Sequence, residues 1–195
     1  MHQRQATAAV LIGGESRRMG RDKADLLWDG FTLVEHVCRR VAPLVEEVLL
    51  VVRPQRRPWA EDIAPEGARV VTDRAGVRGP LAGIAAALAE AQHQRVLVVA
   101  CDMPFLQADL LGALLDDVSA DVIVPHTERG YEPLLAVYDK TCQPVIERIL
   151  ADGPSRVPAF FPEVGVARWS EEKLREFDPQ LRSLVNINRP EDFPG

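Results

Sequence analysis

The residues best suited to chemistry lie in one loop near the amino terminus. A short apolar run, residues 8–12, ends at two adjacent glycines, and several cations follow within a few positions. The glycines and cations are Gly13, Gly14, Arg17, Arg18, Arg21 and Lys23. Glycines allow the backbone to turn and to approach a ligand closely, and the amide N–H groups of such a loop form an anion-binding concavity. Together with forked positive charge, this predicts a triphosphate-binding loop; the alternative is a surface turn with solvated arginines.

Two common phosphate-binding motifs do not describe this loop. No Gly-Lys-Ser/Thr sequence follows at Walker A spacing, and Gly13, Gly14 and Gly20 do not form Gly-x-Gly-x-x-Gly. The loop is therefore predicted to bind a triphosphate in another way.

A carboxylate follows the most continuous apolar strand of the sequence, residues 96–100. Asp102 comes two residues after it, in the segment Cys101-Asp102-Met103-Pro104. A carboxylate at a strand end is suited to Mg²⁺, which prefers hard oxygen ligands and keeps several waters. The alternative is that Asp102 is the N-cap of a helix that Pro104 begins.

Other polar residues follow other predicted strands. Arg53 follows residues 48–52 and begins the polar, proline-containing segment 53–58, which is expected to close that strand. Asp73 follows residues 69–72, and Gly79-Pro80 opens an alanine-rich helix. In open α/β sheets ligands bind beyond the carboxyl ends of the strands, so the loops that begin at Gly13, Arg53, Asp73 and Cys101 are predicted to converge. Gly79-Pro80 also fits a simple turn and helix start.

The elements that must position these residues alternate along the chain. Thr32 and Glu35 form a predicted capping box before an amphipathic helix. Further helices are predicted at residues 81–91 and 107–116, and further strands at residues 122–125 and 134–138. Alternation with near-continuous apolar strands predicts an α/β fold, a three-layer α/β/α sandwich with a mostly parallel sheet, in one domain over residues 1–195.

Composition excludes several classes of function. The net charge of −6 argues against a nucleic-acid-binding surface. No apolar run approaches the roughly 18 residues that span a membrane, and the amino terminus lacks a hydrophobic signal core. Three widely separated cysteines argue against a disulfide framework. We therefore expect a cytoplasmic protein without nucleic-acid or membrane partners.

The first loop resembles the signature of the molybdenum cofactor guanylyltransferase family. That signature reads Leu-Ala-Gly-Gly, three variable residues, Arg-Met-Gly, a short spacer and Lys. The matching residues are Leu11, Gly13, Gly14, Arg18, Met19, Gly20, Asp22 and Lys23. Two departures are Ile12, where alanine is usual, and Arg53, where the family often has Asn. Similar motifs follow in the same order at residues 79–83, 101–104, 133–136 and 186–192.

The resemblance implies a Rossmann-like nucleotidyltransferase fold and a reaction. GMP would pass from GTP to molybdopterin with Mg²⁺ as cofactor, and a chaperone or molybdoenzyme would be a possible delivery partner. Arg18, Lys23 and Asp102 would be catalytic, and Asp102 and Asn188 would hold the metal. Asn186 and Asn188 are expected to alternate on a strand and to point the same way. Asn188 has an alternative role as the cap of a final helical turn begun by Pro190. The implied nucleotide-binding residues are Leu11, Ile12, Gly13, Gly14, Lys23, Arg53, Asp73, Gly79 and Asp102.

Two other functions remain open at this point. A sister transferase would use CTP or another phosphorylated acceptor, although the double glycine favours the guanine branch. A nucleotide-binding accessory protein would retain the loop without turnover.

Overall fold

The computed structural model describes residues 3–13, 27–73, 79–153, 156–187 and 192, in which strands and helices alternate. The strands are β1 (Arg4–Ile12), β2 (Leu27–Trp28), β3 (Phe31–Thr32), β4 (Val45–Val52), β5 (Ala68–Thr72), β6 (Arg95–Ala100), β7 (Val122–Thr127), β8 (Gly130–Tyr131), β9 (Leu135–Asp139) and β10 (Val166–Ser170). The α-helices are α1 (Leu33–Val41), α2 (Arg57–Ile63), α3 (Pro80–Glu90), α4 (Ala108–Asp116), α5 (Gln143–Ala151) and α6 (Glu171–Arg175). Short 3-10 helices cover Ala42–Leu44, Pro54–Arg56, Lys140–Cys142, Val157–Glu163 and Arg182–Leu184.

Eight strands form one large, mostly parallel sheet. Its order is β10-β7-β9-β6-β1-β4-β5, with β8 paired to β7, while β2 and β3 form a separate hairpin. β1 lies between β4 and β6 and is parallel to both, and β5 is parallel to β4. β9 runs antiparallel to β6 and to β7. The prediction of a mostly parallel sheet is confirmed.

Helices cover both faces of the sheet, and alternate side chains of β1 face each layer. Val10 and Ile12 pack in the core on the side of α1 and α4. Ala9 and Leu11 pack in the core on the side of α3 and α5. A strand buried on both faces is apolar at successive positions, which explains the continuous run at residues 8–12. The predicted three-layer sandwich is confirmed, and no helix in the described part of the chain is long and apolar enough to cross a membrane.

The predicted capping box fixes the start of α1. The Thr32 hydroxyl accepts the Glu35 backbone N–H at 3.2 Å, and the Glu35 carboxylate accepts the Thr32 backbone N–H at 2.7 Å. Two otherwise unpaired donors are thereby satisfied. Because Thr32 also ends the β2–β3 hairpin, the capping box joins that hairpin rigidly to the helix.

Two local expectations differ from the structure. The proline-containing segment at residues 53–58 was expected only to close a strand, yet Pro54 and Pro58 each stand in the first turn of a helix. Proline fits such positions because its missing N–H is not needed there. The expectation that Asn186 lies on a strand is wrong, since residues 185–187 have no strand pairing. Asn188 lies outside the described residues.

Candidate active site

A cavity of about 240 Å³ opens at the carboxyl ends of the parallel strands. Its described lining residues are Leu11, Ile12, Gly13, Val51, Arg53, Asp73, Gly79, Pro80, Gly83, Ala100, Cys101, Asp102 and Leu134. The predicted convergence of the four strand-end loops is therefore confirmed. Each implied nucleotide-binding residue within the described ranges lines this cavity, and the role of each stays a prediction. Gly14, Arg18 and Lys23 lie outside the described residues.

The inner wall of the cavity is apolar. Leu11 and Val51 come from adjacent strands, and Gly83 faces them from the first turns of α3. A Cβ added at Gly83 would lie 3.3 Å from a Leu11 methyl carbon, so the glycine leaves the helix close to the strand. Concave, mostly apolar sites with a few placed polar groups are typical of small-molecule binding.

Ile12 contributes mainly to the core. Its side chain is 2% exposed and packs in the layer on the α1 side, whereas Leu11 faces the α3 side. The period of two along a strand separates the two side chains. The extra bulk of isoleucine relative to alanine is thus accommodated on the sheet face opposite α3.

Two opposite charges stand at the ends of β4 and β5. Arg53 and Asp73 both line the cavity, and the Asp73 backbone N–H donates to the Val52 carbonyl at 2.9 Å. Burial raises the pKa of the Asp73 carboxyl, and the positive charge of Arg53 partly opposes this rise. Asp73 is therefore a half-buried acceptor at the cavity wall.

Asp102 stands at the end of β6, in a turn that the backbone holds against β1. The Cys101 N–H donates to the Leu11 carbonyl at 3.2 Å, and the Met103 N–H to the Ala100 carbonyl at 3.4 Å. The following helix α4 begins at Ala108 with Gln107 as its N-cap. The alternative in which Asp102 caps this helix is therefore wrong.

A second carboxylate near Asp102 was not singled out from the sequence. Glu132 is half-buried, and burial together with the negative charge of Asp102 raises the pKa of its carboxyl. β9 pairs antiparallel with β6, Leu135 facing Val99, so the segment before β9 returns to the carboxyl edge of the sheet. The sequence offered one signal for Glu132, a carboxylate shortly before an apolar strand. Sequence patterns do not give strand direction, so they could not show at which edge of the sheet it lies.

The donors around Asp102 fit magnesium. Carboxylate oxygens are its preferred protein ligands, and one or two of them suffice when substrate phosphates and waters complete the octahedron. No group of three or more His, Cys, Asp or Glu side chains arranged to hold a metal occurs among the residues that the structure describes. The carboxylate of Asp102 is a ligand of the kind that Mg²⁺ prefers, and a magnesium ion at this position stays a prediction.

The amino terminus of α3 forms another side of the cavity. Gly79 is its N-cap, with φ 108° and ψ 164°, and Pro80 occupies the first turn. The prediction that Gly79-Pro80 opens a helix is confirmed. The amino terminus of an α-helix attracts anions, and Gly79 and Pro80 at the start of α3 line the cavity.

Gly79→Ala tests whether this turn shapes the site. The backbone conformation of Gly79 is nearly restricted to glycine, so alanine should cost about 1–3 kcal/mol of unfolding free energy. Relief of that strain should displace the start of α3 and weaken nucleotide binding in calorimetric titrations. Gly67→Ala is the matched control, since Gly67 has φ 83° and precedes β5 at the opposite end of the sheet. An unchanged nucleotide affinity in Gly79→Ala would contradict the prediction.

The fold and the strand-end cavity agree with the class of α/β nucleotidyltransferases, to which the family comparison assigns the chain. The family model of the MobA-like NTP transferase domain matches residues 8–162, and the chain belongs to this family.

Similar proteins support the same family. A molybdenum cofactor guanylyltransferase from Desulfosudis oleivorans is 36% identical over 190 residues, covering 96% of this chain and 92% of the relative. A probable molybdenum cofactor guanylyltransferase from Pelotomaculum thermopropionicum is 41% identical over 190 residues, covering 97% and 90%. The crystal structure of molybdopterin-guanine dinucleotide biosynthesis protein A from Archaeoglobus fulgidus is similar with a TM-score of 0.82 at 31% identity, covering 95% of this chain and 94% of that one. The resemblance inferred from the motifs is confirmed.

Proposed function

We propose that this protein transfers GMP from GTP to molybdopterin and releases pyrophosphate, giving the guanine dinucleotide cofactor. The supporting observation is the meeting of Leu11, Gly13, Asp73, Gly79 and Asp102 in one cavity at the carboxyl edge of the sheet. The names of the similar proteins from Desulfosudis and Archaeoglobus agree with this reaction.

The reaction is an in-line displacement at phosphorus. An oxygen of the acceptor's phosphate monoester forms a bond to the α-phosphorus of GTP, and the bond from that phosphorus to the bridging oxygen breaks. Pyrophosphate leaves with the electron pair. A phosphate monoester is largely ionised at neutral pH, since its second pKa is about 6, so the nucleophile needs no general base. This agrees with the lack of a His or Ser dyad among the predicted site residues.

Catalysis then depends on alignment and on neutralisation of charge. Asp102, with Asn188 as the second ligand expected from the sequence, would hold Mg²⁺, which supplies positive charge beside the triphosphate. The apolar wall of Leu11, Val51 and Gly83 would hold the base and exclude water from it. Arg18 and Lys23 are expected from the sequence to neutralise the charge that grows on pyrophosphate.

Selective stabilisation by one nucleotide tests the choice of base. The protein is heated with GTP, CTP, ATP or UTP, each with Mg²⁺. A ligand at a free concentration of 100 times its Kd stabilises the folded protein by about 2.7 kcal/mol. This raises Tm by roughly 5–10 °C for a chain of this size. We expect this shift with GTP and a much smaller one with the other three. Preferential stabilisation by CTP would instead identify the sister transferase.

Pyrophosphate release separates an enzyme from a binding protein. With GTP, Mg²⁺ and molybdopterin, pyrophosphate should form in step with the dinucleotide product, and omission of the acceptor should abolish it. GTP binding without pyrophosphate release in the complete mixture would support the accessory-protein alternative.

A further inference from the structure

The carboxyl-terminal segment 178–187, here called the strap, crosses the loop that carries Asp102. Its first turn is fixed by Asp178, which is 2% exposed. The Asp178 carboxylate accepts the backbone N–H of Arg182 at 3.0 Å and that of Ser183 at 2.7 Å. Hydrogen bonds to a buried carboxylate are strong, so this end of the strap has a defined position.

The strap holds the Asp102 loop at both ends. At one end, the Ser183 hydroxyl accepts the backbone N–H of Gln107 at 2.9 Å. At the other end, the Ile187 backbone N–H donates to the Asp102 carbonyl at 2.8 Å. The second bond fixes the peptide plane that follows Asp102, and thereby constrains the backbone from which its carboxylate extends.

The Ile187 side chain anchors this second bond. It is fully buried with Leu33 and Phe105, and Trp28 packs against the same cluster. The Trp28 and Phe105 rings stand edge to face, with centroids 5.2 Å apart. Phe105 belongs to the Asp102 loop. Trp28 lies in β2 and Leu33 begins α1, and both follow the predicted triphosphate-binding loop in sequence. Ile187 therefore packs between the Asp102 loop and the segment formed by the β2–β3 hairpin and the start of α1.

We propose that Ile187 is a positioning residue that holds Asp102 in the orientation required to bind the metal. The proposal rests on the proposed function, because it assigns Ile187 a role toward the Mg²⁺ site. Any residue except proline supplies the backbone N–H at position 187. A side chain that fills the buried cluster is needed to keep that N–H within bonding distance of the Asp102 carbonyl. Small errors in the position of a catalytic group have large effects on rate, which gives the anchor a functional consequence.

Ile187→Ala, Ile187→Val and Ile146→Ala together test this role. Ile146 is equally buried, but it lies on α5 in the core of the other sheet face, so Ile146→Ala controls for a general loss of stability. Mn²⁺ binding in the presence of a non-hydrolysable GTP analogue is measured by electron paramagnetic resonance. For each variant, kcat, KM for GTP and the melting temperature are measured as well.

We expect both alanine variants to melt at lower temperature, and Ile187→Ala alone to lose metal affinity. Residues that orient metal ligands typically contribute about 10- to 100-fold, so the Mn²⁺ Kd should rise and kcat fall by about 10-fold or more, with KM for GTP little changed. Ile187→Val, which still fills most of the cluster, should restore both values.

Unchanged Mn²⁺ affinity and kcat in Ile187→Ala would overturn the proposal. If Ile187→Ala does not fold, Ser183→Ala is used in its place. Ser183→Ala releases the other end of the Asp102 loop, so it should also raise the Mn²⁺ Kd and lower kcat. Wild-type values in Ser183→Ala would then overturn the proposal. Failure of the wild-type protein to bind Mn²⁺ with the GTP analogue would instead contradict the proposed function.

Discussion

Asp102→Ala should abolish nucleotidyl transfer and leave the fold intact. The carboxylate lies at the cavity and would hold the metal that balances the charge of the triphosphate. Loss of several kcal/mol of transition-state charge stabilisation corresponds to a rate decrease of roughly 1,000-fold or more. Stability should change little, because the side chain caps no helix and the bond from Ile187 uses the Asp102 backbone carbonyl.

The decisive measurement pairs pyrophosphate release with circular dichroism and urea unfolding. Asp102→Asn keeps the size of the side chain and removes its charge, so it should lose activity to a similar degree. Asp109→Ala is the matched control, since this exposed carboxylate lies in the first turn of α4, away from the cavity lining. Full activity in folded Asp102→Ala would rule out Asp102 as the metal ligand.

The site could be predicted from the sequence wherever its residues directly follow a buried strand. Strands buried on both faces are continuous apolar runs, and a polar or glycine residue marks the point where each one reaches solvent. Gly13 and Arg53 directly follow such strands, Asp102 comes two residues after β6, and Asp73 directly follows the half-buried edge strand β5. In a parallel sheet these points share one edge, so spacing along the sequence was sufficient to predict their proximity.

The remaining parts of the site depend on contacts between distant segments. The approach of Glu132 to Asp102 requires β9 to run antiparallel to β6, and strand direction leaves no signal in hydrophobic periodicity. The contact of Ile187 with the Asp102 loop joins residues far apart in sequence. Asn186 was expected on a strand, yet the neighbouring Ile187 hydrogen-bonds to the Asp102 loop and the segment does not join the sheet.

Asp73 should determine the preference for guanine. Guanine presents two adjacent donors, N1–H and the 2-amino group, and one carboxylate can accept both; cytosine and adenine lack this pair. Asp73 stands at the wall of the same cavity as Leu11 and Val51, which form its apolar side. A hydrogen bond to a charged group contributes about 1.5–3 kcal/mol, so Asp73→Ala should weaken GTP binding by roughly 10- to 100-fold and leave weak ATP binding unchanged.

The pH dependence of GTP affinity is a second test of the role of Asp73. The Asp73 side chain can accept both guanine donors only when it is ionised, and burial raises the pKa of this carboxyl above the ordinary range. Affinity should therefore be complete above that raised pKa and decline as the pH falls through it. Calorimetric titrations carried downward from about pH 8 should show this decline in the wild-type protein, beginning above the usual aspartate pKa of about 3.9, and should not show it in Asp73→Ala. Asp62→Ala removes an exposed charge from α2 and should match the wild type. Equal GTP affinity and equal pH dependence in Asp73→Ala and the wild type would place guanine recognition elsewhere in the cavity.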